Sequence, residues 1–294
     1  MKTLESLKRK LESAEDLQSV VKTMKSLAAV SIRQYEEAVT SLEEYNNAID
    51  LGFEILMKNQ TGFMPHLRTE SGSSLGAIVF GSEQGMCGQF NEQIAEFASK
   101  KIKILQQDPD KRFILTLGPR VSPLLEDEGL SVQENFSFPG SVEEITWSVQ
   151  QLLLRIEAWR FEKNIERVTI FYNKKKSGSS YKPYMWSILP LDQDWLNQLR
   201  EKEWKTNQIP FFSMKWDVLL AHLVRQYFFL HLFRAFAESL ASENASRLAA
   251  MQAAEKNIEE KLGTIRVQYN QQRQSSITSE LLDIVSGFEA LKKQ

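Results

Sequence analysis

Glycine and proline, the residues that interrupt helices, are missing from both ends of this chain. The first glycine is Gly52 and the first proline is Pro65; beyond Pro210 there is no further proline, and only Gly263 and Gly287 break the run. The middle of the chain is full of both. A backbone without such punctuation continues a helix once it has nucleated. The sequence therefore predicts two long helices, over residues 2–57 and 214–291, flanking a compact central region. At 1.5 Å rise per residue these would be roughly 80 and 115 Å long. Ordinary helices rarely exceed about 20 residues, so lengths of this order imply a mechanical role.

The apolar positions support that reading. In the first arm Leu4, Leu7, Leu11, Ala14, Leu17, Val21, Met24, Ala28, Ile32, Tyr35, Val39, Leu42, Tyr45, Ile49 and Phe53 follow at steps of three or four, the stripe of a supercoiling helix. The last arm repeats the pattern with Leu220, Leu223, Tyr227, Leu230, Leu240, Leu248, Met251, Ala254, Ile258, Leu262 and Ile265. Either each stripe packs on a globular core or the two stripes cover each other. A central region of this size cannot cover stripes so long, which favours pairing.

Both arms lead into the same central region, through residues 59–65 and through Pro210, so a paired arrangement runs antiparallel. The second arm is longer by roughly 20 residues, so about 30 Å of it is expected to project alone. The projecting stretch from Tyr269 to Thr278 is polar nearly all round, and Leu281, Leu282, Ile284, Val285, Phe288 and Leu291 follow it as an apolar tip. A lone helix of this kind needs an outside partner to enclose it.

Between the arms the pattern changes to short apolar runs alternating with helical stretches. Residues 75–80, 112–117, 167–172 and 181–189 read as strands, and residues 89–105 and 142–162 as helices. Such alternation predicts a mainly parallel α/β sheet, the last strand returning antiparallel as a hairpin. The fold class is thus α/β: an antiparallel two-helix coiled coil formed by both termini, plus a central domain. The expected divisions are residues 1–58, 70–192 and 212–291.

Composition narrows the function classes. A net charge of −2 gives no general attraction to nucleic acid or anionic lipid. The lone Cys87 rules out an internal disulfide framework and fits a reducing compartment. The first ten residues carry no apolar signal core, and no run of about 18 apolar residues suggests a membrane span.

Several features invite a catalytic reading and fall short of one. Gly81-Ser82-Glu83-Gln84-Gly85-Met86-Cys87-Gly88-Gln89 lies between a strand and a helix, where phosphate loops sit, yet it lacks their glycine spacing and the Gly-Lys-Ser/Thr ending. Close backbone packing is the alternative. Cys87 has no histidine nearby in sequence, since only His66, His222 and His231 exist, and two of those lie on the second arm. A nucleophilic pair or a metal site is therefore not expected. Lys174-Lys175-Lys176 could touch acidic partners, though a solvated hairpin turn is the favoured reading, and Glu143-Glu144 fit the first turn of a helix. No catalytic residue, cofactor or metal site is expected.

Taken along its whole length, the chain resembles one family: the gamma subunit, or central rotor stalk, of F-type ATP synthases. Leu7 to Arg33 is similar to the N-terminal helix of that family, and Gly85-Met86-Cys87-Gly88-Gln89-Phe90-Asn91 to its glycine-rich turn. Ala241-Ser242-Glu243-Asn244-Ala245-Ser246-Arg247, Tyr269-Asn270, Arg273-Gln274-Ser275-Ser276-Ile277-Thr278-Ser279-Glu280 and Asp283-Ile284-Val285-Ser286-Gly287 follow its C-terminal helix. The last block is the most specific in order and spacing.

The resemblance implies a subunit without chemistry of its own, turning inside a ring of three alpha and three beta subunits. Its other partners would be the epsilon subunit and the membrane ring of c subunits, with no nucleic acid and no direct membrane insertion. The complex would sit at the cytoplasmic face of the bacterial inner membrane. By motif match, Arg273, Gln274, Thr278 and Glu280 would contact the ring, with Met24 and Arg33 on the facing N-terminal helix. Ile284, Val285, Phe288 and Leu291 would form the apolar bearing tip.

Some positions depart from the family pattern. Val30-Ser31-Ile32-Arg33 lacks one basic residue of the usual Ser-Lys-Met-Arg, Gln89 replaces a glycine, and Phe288 stands where a small residue follows the glycine. These departures are compatible with an alternative bacterial branch. A coiled-coil scaffold for another partner and an α/β enzyme with dimerising arms are the competing readings.

Overall fold

The structure is a computed structural model that describes residues 4–58, 73–177, 180–204 and 212–292. In chain order the helices are α1 (Leu4–Ser41), α2 (Glu43–Lys58), α3 (Phe90–Leu105), α4 (Ser122–Asp127), α5 (Val142–Lys163), α6 (Gln193–Glu201) and α7 (Trp216–Lys292). The strands are β1 (Ser74–Phe80), β2 (Arg112–Leu117), β3 (Glu134–Phe136), β4 (Ile165–Ser177) and β5 (Ser180–Leu189). The chain divides into two compact units, Met1–Ala28 with Leu248–Gln294, and Ala29–Arg247. The expected linkers at residues 59–65 and at Pro210 lie outside the described residues.

The first unit is a pair of helices, the start of α1 against the last part of α7. Arg266 donates to Glu15 at 2.8 Å, Gln18 to Glu259 at 3.5 Å and Lys25 to Glu255 at 2.5 Å. Partner numbers fall as α1 numbers rise, so the helices are antiparallel, as the sequence predicts. Leu7, Val21 and Ala28 are buried here with Met251, Ile258 and Leu262, while Leu11, Ala14 and Met24 are half-buried.

The stripe needs one correction in this unit. The seven-residue repeat that runs through Leu11 continues through Gln18 and Lys25, both half-buried, whereas Leu17 is 53% exposed. The seam accepts these polar residues because each finds a carboxylate across it, and a charge-assisted bond offsets lost hydration.

The second unit is built on a five-stranded sheet in the order β3-β2-β1-β4-β5. All neighbours are parallel except β4 and β5, which pair antiparallel from Val168↔Leu189 to Ser177↔Ser180. Strand β1 is buried on both faces, as a central parallel strand must be. Ile78 and Phe80 point to one side with Leu115 and Leu117, under Ile145, Val149, Leu152 and Ile156 of α5 and Leu232, Phe236 and Leu240 of α7. Ala77 and Val79 point to the other, under Ile94, Ala98 and Ile102 of α3 and Leu125 of α4. A third cluster joins Ile49, Phe53 and Leu56 of α2 to Leu196 and Leu199 of α6 and to Tyr227 and Leu230 of α7.

The first arm is not one helix. It breaks at Leu42, where Thr40 Oγ1 donates to the carbonyl of Glu36 at 3.0 Å and Ser41 Oγ to that of Ala38 at 2.8 Å. Leu42 N bonds back only three residues, to Val39. Hydroxyls that compete for helical carbonyls loosen the ladder, and two in succession after a β-branched valine give the chain a place to break. After the break Asn46 is half-buried while Tyr45 is 42% exposed, so the stripe is again read one residue early.

Three elements were not expected. Strand β3 has three residues and α4 six, too short to show a period. Helix α6 starts where Asp192 Oδ1 accepts from the backbone N–H groups of Asp194 and Trp195 at 2.9 and 3.4 Å, an aspartate N-cap.

Candidate functional site

Helix α7 is amphipathic over most of its length, but from Ala235 to Arg247 every residue is buried. That segment is rich in alanine and serine, which let neighbouring backbone approach from all sides. Phe236 enters the core between Phe80 and Phe138, with ring centroids 4.8 and 5.4 Å away. Glu238 receives the Tyr172 hydroxyl at 3.1 Å and Arg234 Nε at 2.9 Å, with Lys174 Nζ 3.8 Å away. Burial beside this carboxylate pushes the Tyr172 phenol well above its ordinary value, so it stays a donor.

Two turns on, α7 meets the loop between β1 and α3. Ser246 Oγ donates to the carbonyl of Cys87 at 2.5 Å, and Arg247 Nη2 reaches the carbonyls of Gln84 and Gly85 at 3.4 and 3.5 Å. Arg247 is held by Glu243 at 2.5 Å and by Asn244 at 3.1 Å. Burial raises the Glu243 pKa despite the neighbouring Arg247 cation. Inside the loop Asn91 Nδ2 donates to Ser82 Oγ at 2.8 Å, and its Oδ1 accepts from Ser82 N at 3.0 Å. Gly88 has φ +59°, and a side chain there would lie 3.3 Å from Ser246 Oγ. Glycine is needed because the backbone is left-handed and abuts α7.

This geometry answers the catalytic readings of the loop. Its carbonyls face α7 and are occupied by α7 donors, which is close backbone packing. The Cys87 thiol is buried beside Ser82 and Asn91, and burial pushes its pKa up, away from the reactive thiolate. His231 packs its ring against Trp186 and Tyr227 at 4.9 and 4.2 Å. His66 lies outside the described residues. Among the described residues no group of three or more His, Cys, Asp and Glu side chains is arranged to hold a metal ion.

The residues expected to contact partners fall into three places. Met24 is half-buried and packs in the core of the helical unit. Arg33 is exposed in the sheet unit, on a shallow groove shared with Glu36, Glu37, Glu43 and Glu44. Arg273, Gln274, Thr278 and Glu280 are brought together on α7, all exposed; Thr278 Oγ1 donates to the carbonyl of Gln274 at 2.9 Å. At 100° per residue these four span about 160° of the helix circumference.

Every side chain from Ile277 to Ser286 is exposed, including Ile284 at 64% and Val285 at 53%. Ile277, Leu281, Ile284 and Val285 fall within the same arc as the polar four. One face of α7 therefore carries both the polar and the apolar groups. The side chains of Phe288 and Leu291 lie outside the described residues.

Sequence reasoning missed the grip on α7 at Glu238, Ser246 and Arg247. Its one local signal is a run of small and polar residues, Ala235 to Arg247, where a core helix would carry large apolar ones.

A family model described as ATP synthase matches residues 3–291. The ATP synthase gamma chain of Trichlorobacter lovleyi is 27% identical over 295 residues, covering 99% of this chain and 100% of that one. That of Geotalea uraniireducens is 26% identical with the same coverage. Among solved structures, the rotor of the Euglena gracilis mitochondrial ATP synthase in rotational state 1 matches with a TM-score of 0.65 at 16% identity. The match covers 93% of this chain and 98% of that one, and the likeness is one of fold.

Proposed function

The chain belongs to the ATP synthase family as a gamma chain, and from that premise we propose that it is the rotor shaft, coupling ion-driven rotation of a membrane ring to ATP synthesis or hydrolysis. The chemistry belongs to a surrounding ring of alpha and beta subunits, and this chain contributes no catalytic group. The sheet unit binds the epsilon subunit and the ring of c subunits, at the cytoplasmic face of a bacterial inner membrane. No helix among the described residues is long and apolar enough to cross a membrane, which fits a peripheral subunit.

The observation that carries this reading is the exposed face of α7 from Arg273 to Val285. It combines bonding groups with large apolar side chains, all exposed, and Thr278 bonds back to the Gln274 carbonyl of its own helix. Arg273, Gln274, Thr278 and Glu280 make contacts that must break on every turn. Exposed hydrogen bonds and ion pairs at about 0.5–1.5 kcal/mol each suit that requirement better than a deep apolar interface. Ile284, Val285, Phe288 and Leu291 turn inside an apolar sleeve. A contact face of about 160° meets only part of a threefold ring at one time. Equivalent sites are then held in different states, which is a coupling free energy delivered mechanically.

The test is ATP hydrolysis by purified alpha and beta subunits with and without this chain. Assembly and a rise in turnover are expected, with a loss when Arg273, Gln274 and Thr278 are replaced by alanine. An alpha/beta mixture whose turnover ignores the chain would refute the proposal.

A further inference from the structure

A shaft is useful only if the element that is driven cannot slip against the element that drives. Between Ala235 and Arg247 much of the surface of α7 is alanine and serine. Small apolar contacts of this kind resist separation but offer little resistance to rotation about the helix axis, because sliding one alanine past another costs few contacts. Phe236, set between Phe80 and Phe138, keys the helix at one point. Hydrogen bonds are directional and fail within a fraction of an ångström, so bonds placed off the axis add resistance to twist along the rest of the segment.

The sheet unit supplies such bonds at two levels of α7. At the first, Tyr172 and Lys174 of β4 hold Glu238 at 3.1 and 3.8 Å. At the second, two turns further on, Ser246 is gripped from opposite partners: it donates to the Cys87 carbonyl at 2.5 Å and lies 3.2 Å from the Tyr181 hydroxyl of β5. Arg247 adds the reach to Gln84 and Gly85. The same hairpin also pairs Lys175 with Glu36 of α1, so both shaft helices are tied to it. The loop itself is tied back to the sheet, since Asn173 Nδ2 of β4 donates to the carbonyl of Phe90 at 3.1 Å.

We propose that the β4–β5 hairpin and the 81–91 loop form a torque clamp, in which Ser246, Arg247 and Glu238 of α7 and Glu36 of α1 transmit twist between the sheet and the segments of α7 and α1 packed on it within the same unit. The inference rests on the rotor reading and adds to it the residues that carry load. It makes a specific demand: weakening the clamp should leave unloaded turnover alone and fail only under load. ATP hydrolysis by the alpha/beta/gamma complex drives the shaft against almost no resistance. Ion pumping by the full complex drives it against a gradient.

The variants are Tyr181→Phe with Lys175→Gln, which delete one hydroxyl and one charge at the clamp and no core volume. Gly76→Ala is the control, because its new methyl would meet the Trp159 ring at 2.7 Å in the sheet core and touches no clamp residue. Complexes carrying the double variant should hydrolyse ATP within about twofold of the parent. They should stall at an ion gradient at least about twofold smaller, and a bead fixed to the sheet unit should show larger torsional fluctuations. Gly76→Ala should lower the melting temperature and keep the parent stall gradient. An unchanged stall gradient and unchanged fluctuations in the double variant would overturn the clamp. So would an equal loss of coupling in Gly76→Ala, which would make stability the cause. Failure of the parent chain to assemble with alpha and beta would instead overturn the rotor reading.

Discussion

Phe236 is the apolar counterpart of the clamp, and its removal should loosen α7 from the sheet by a calculable amount. The ring is fully buried, with centroids 4.8 Å from Phe80 and 5.4 Å from Phe138. Phe236→Ala deletes a phenyl group that neighbours on a central strand cannot collapse to fill, a change that costs about 3–5 kcal/mol. Phe236→Leu keeps most of the volume and should cost about 1–1.5 kcal/mol, much of it the lost aromatic contact. All six tryptophans lie between residues 147 and 216, inside the sheet unit, so tryptophan fluorescence in a urea titration reports on that unit. With a slope of about 3 kcal/mol/M, the alanine variant should shift the midpoint down by more than about 1 M and the leucine variant by less than about 0.5 M. A double-mutant cycle with Phe80→Leu should return a coupling of about 0.5–1.5 kcal/mol. A midpoint shift below about 0.3 M for Phe236→Ala, with unchanged slope, would show that α7 is not anchored through this ring.

His231 should make the sheet unit acid-sensitive. Burial, with Arg234 and Lys174 adding to it, lowers its pKa from 6.5 to about 4. The unfolded chain therefore binds a proton that the folded chain refuses, and stability present above pH 6.5 is lost as pH falls toward 4. The loss amounts to about 3 kcal/mol, and His231→Phe should flatten that part of a plot of stability against pH. Gly118 has φ +84°, and a methyl group there would sit 2.6 Å from the backbone of Ser82. Gly118→Ala should cost about 2–3 kcal/mol in thermal melts, since backbone cannot swing aside. In the helical unit Glu255→Ala should cost about 1 kcal/mol by stranding half-buried Lys25, whereas Lys25→Leu with Glu255→Leu should melt no lower than the parent.

The fold is legible in the sequence where one physical signal dominates. Strand β2 is recognised at its observed ends because a buried apolar run stops at Gly118-Pro119. Helices α3 and α5 start and stop within a residue of expectation. The signal fails where tertiary partners override hydropathy: Leu17 and Tyr45 look like seam residues, yet Gln18 and Asn46 occupy the seam. A polar side chain that meets a carboxylate across the interface is invisible to a hydropathy period. The break at Leu42 depends on side-chain bonds from Thr40 and Ser41, which composition suggests only weakly. For the candidate site, the exposure of Arg273, Gln274, Thr278 and Glu280 follows from their polarity, and that of the apolar Leu281, Leu282, Ile284 and Val285 from the length of the second arm. The choice of Arg273, Gln274, Thr278 and Glu280 as contacts comes from likeness to the family, and periodicity alone would not single them out. The clamp at Glu238 and Ser246 had no periodic signature, because a helix buried on all sides has no moment to read.

The most direct test of the rotor account is rotation itself. The chain is assembled with alpha and beta subunits fixed to a surface, a bead is attached to the sheet unit, and ATP is added. Unidirectional turning with three preferred stops per revolution is the expected result, and the dwell at each stop should lengthen when Arg273, Gln274 and Thr278 become alanine. A bead that only fluctuates about one angle while the same complexes hydrolyse ATP would contradict the account.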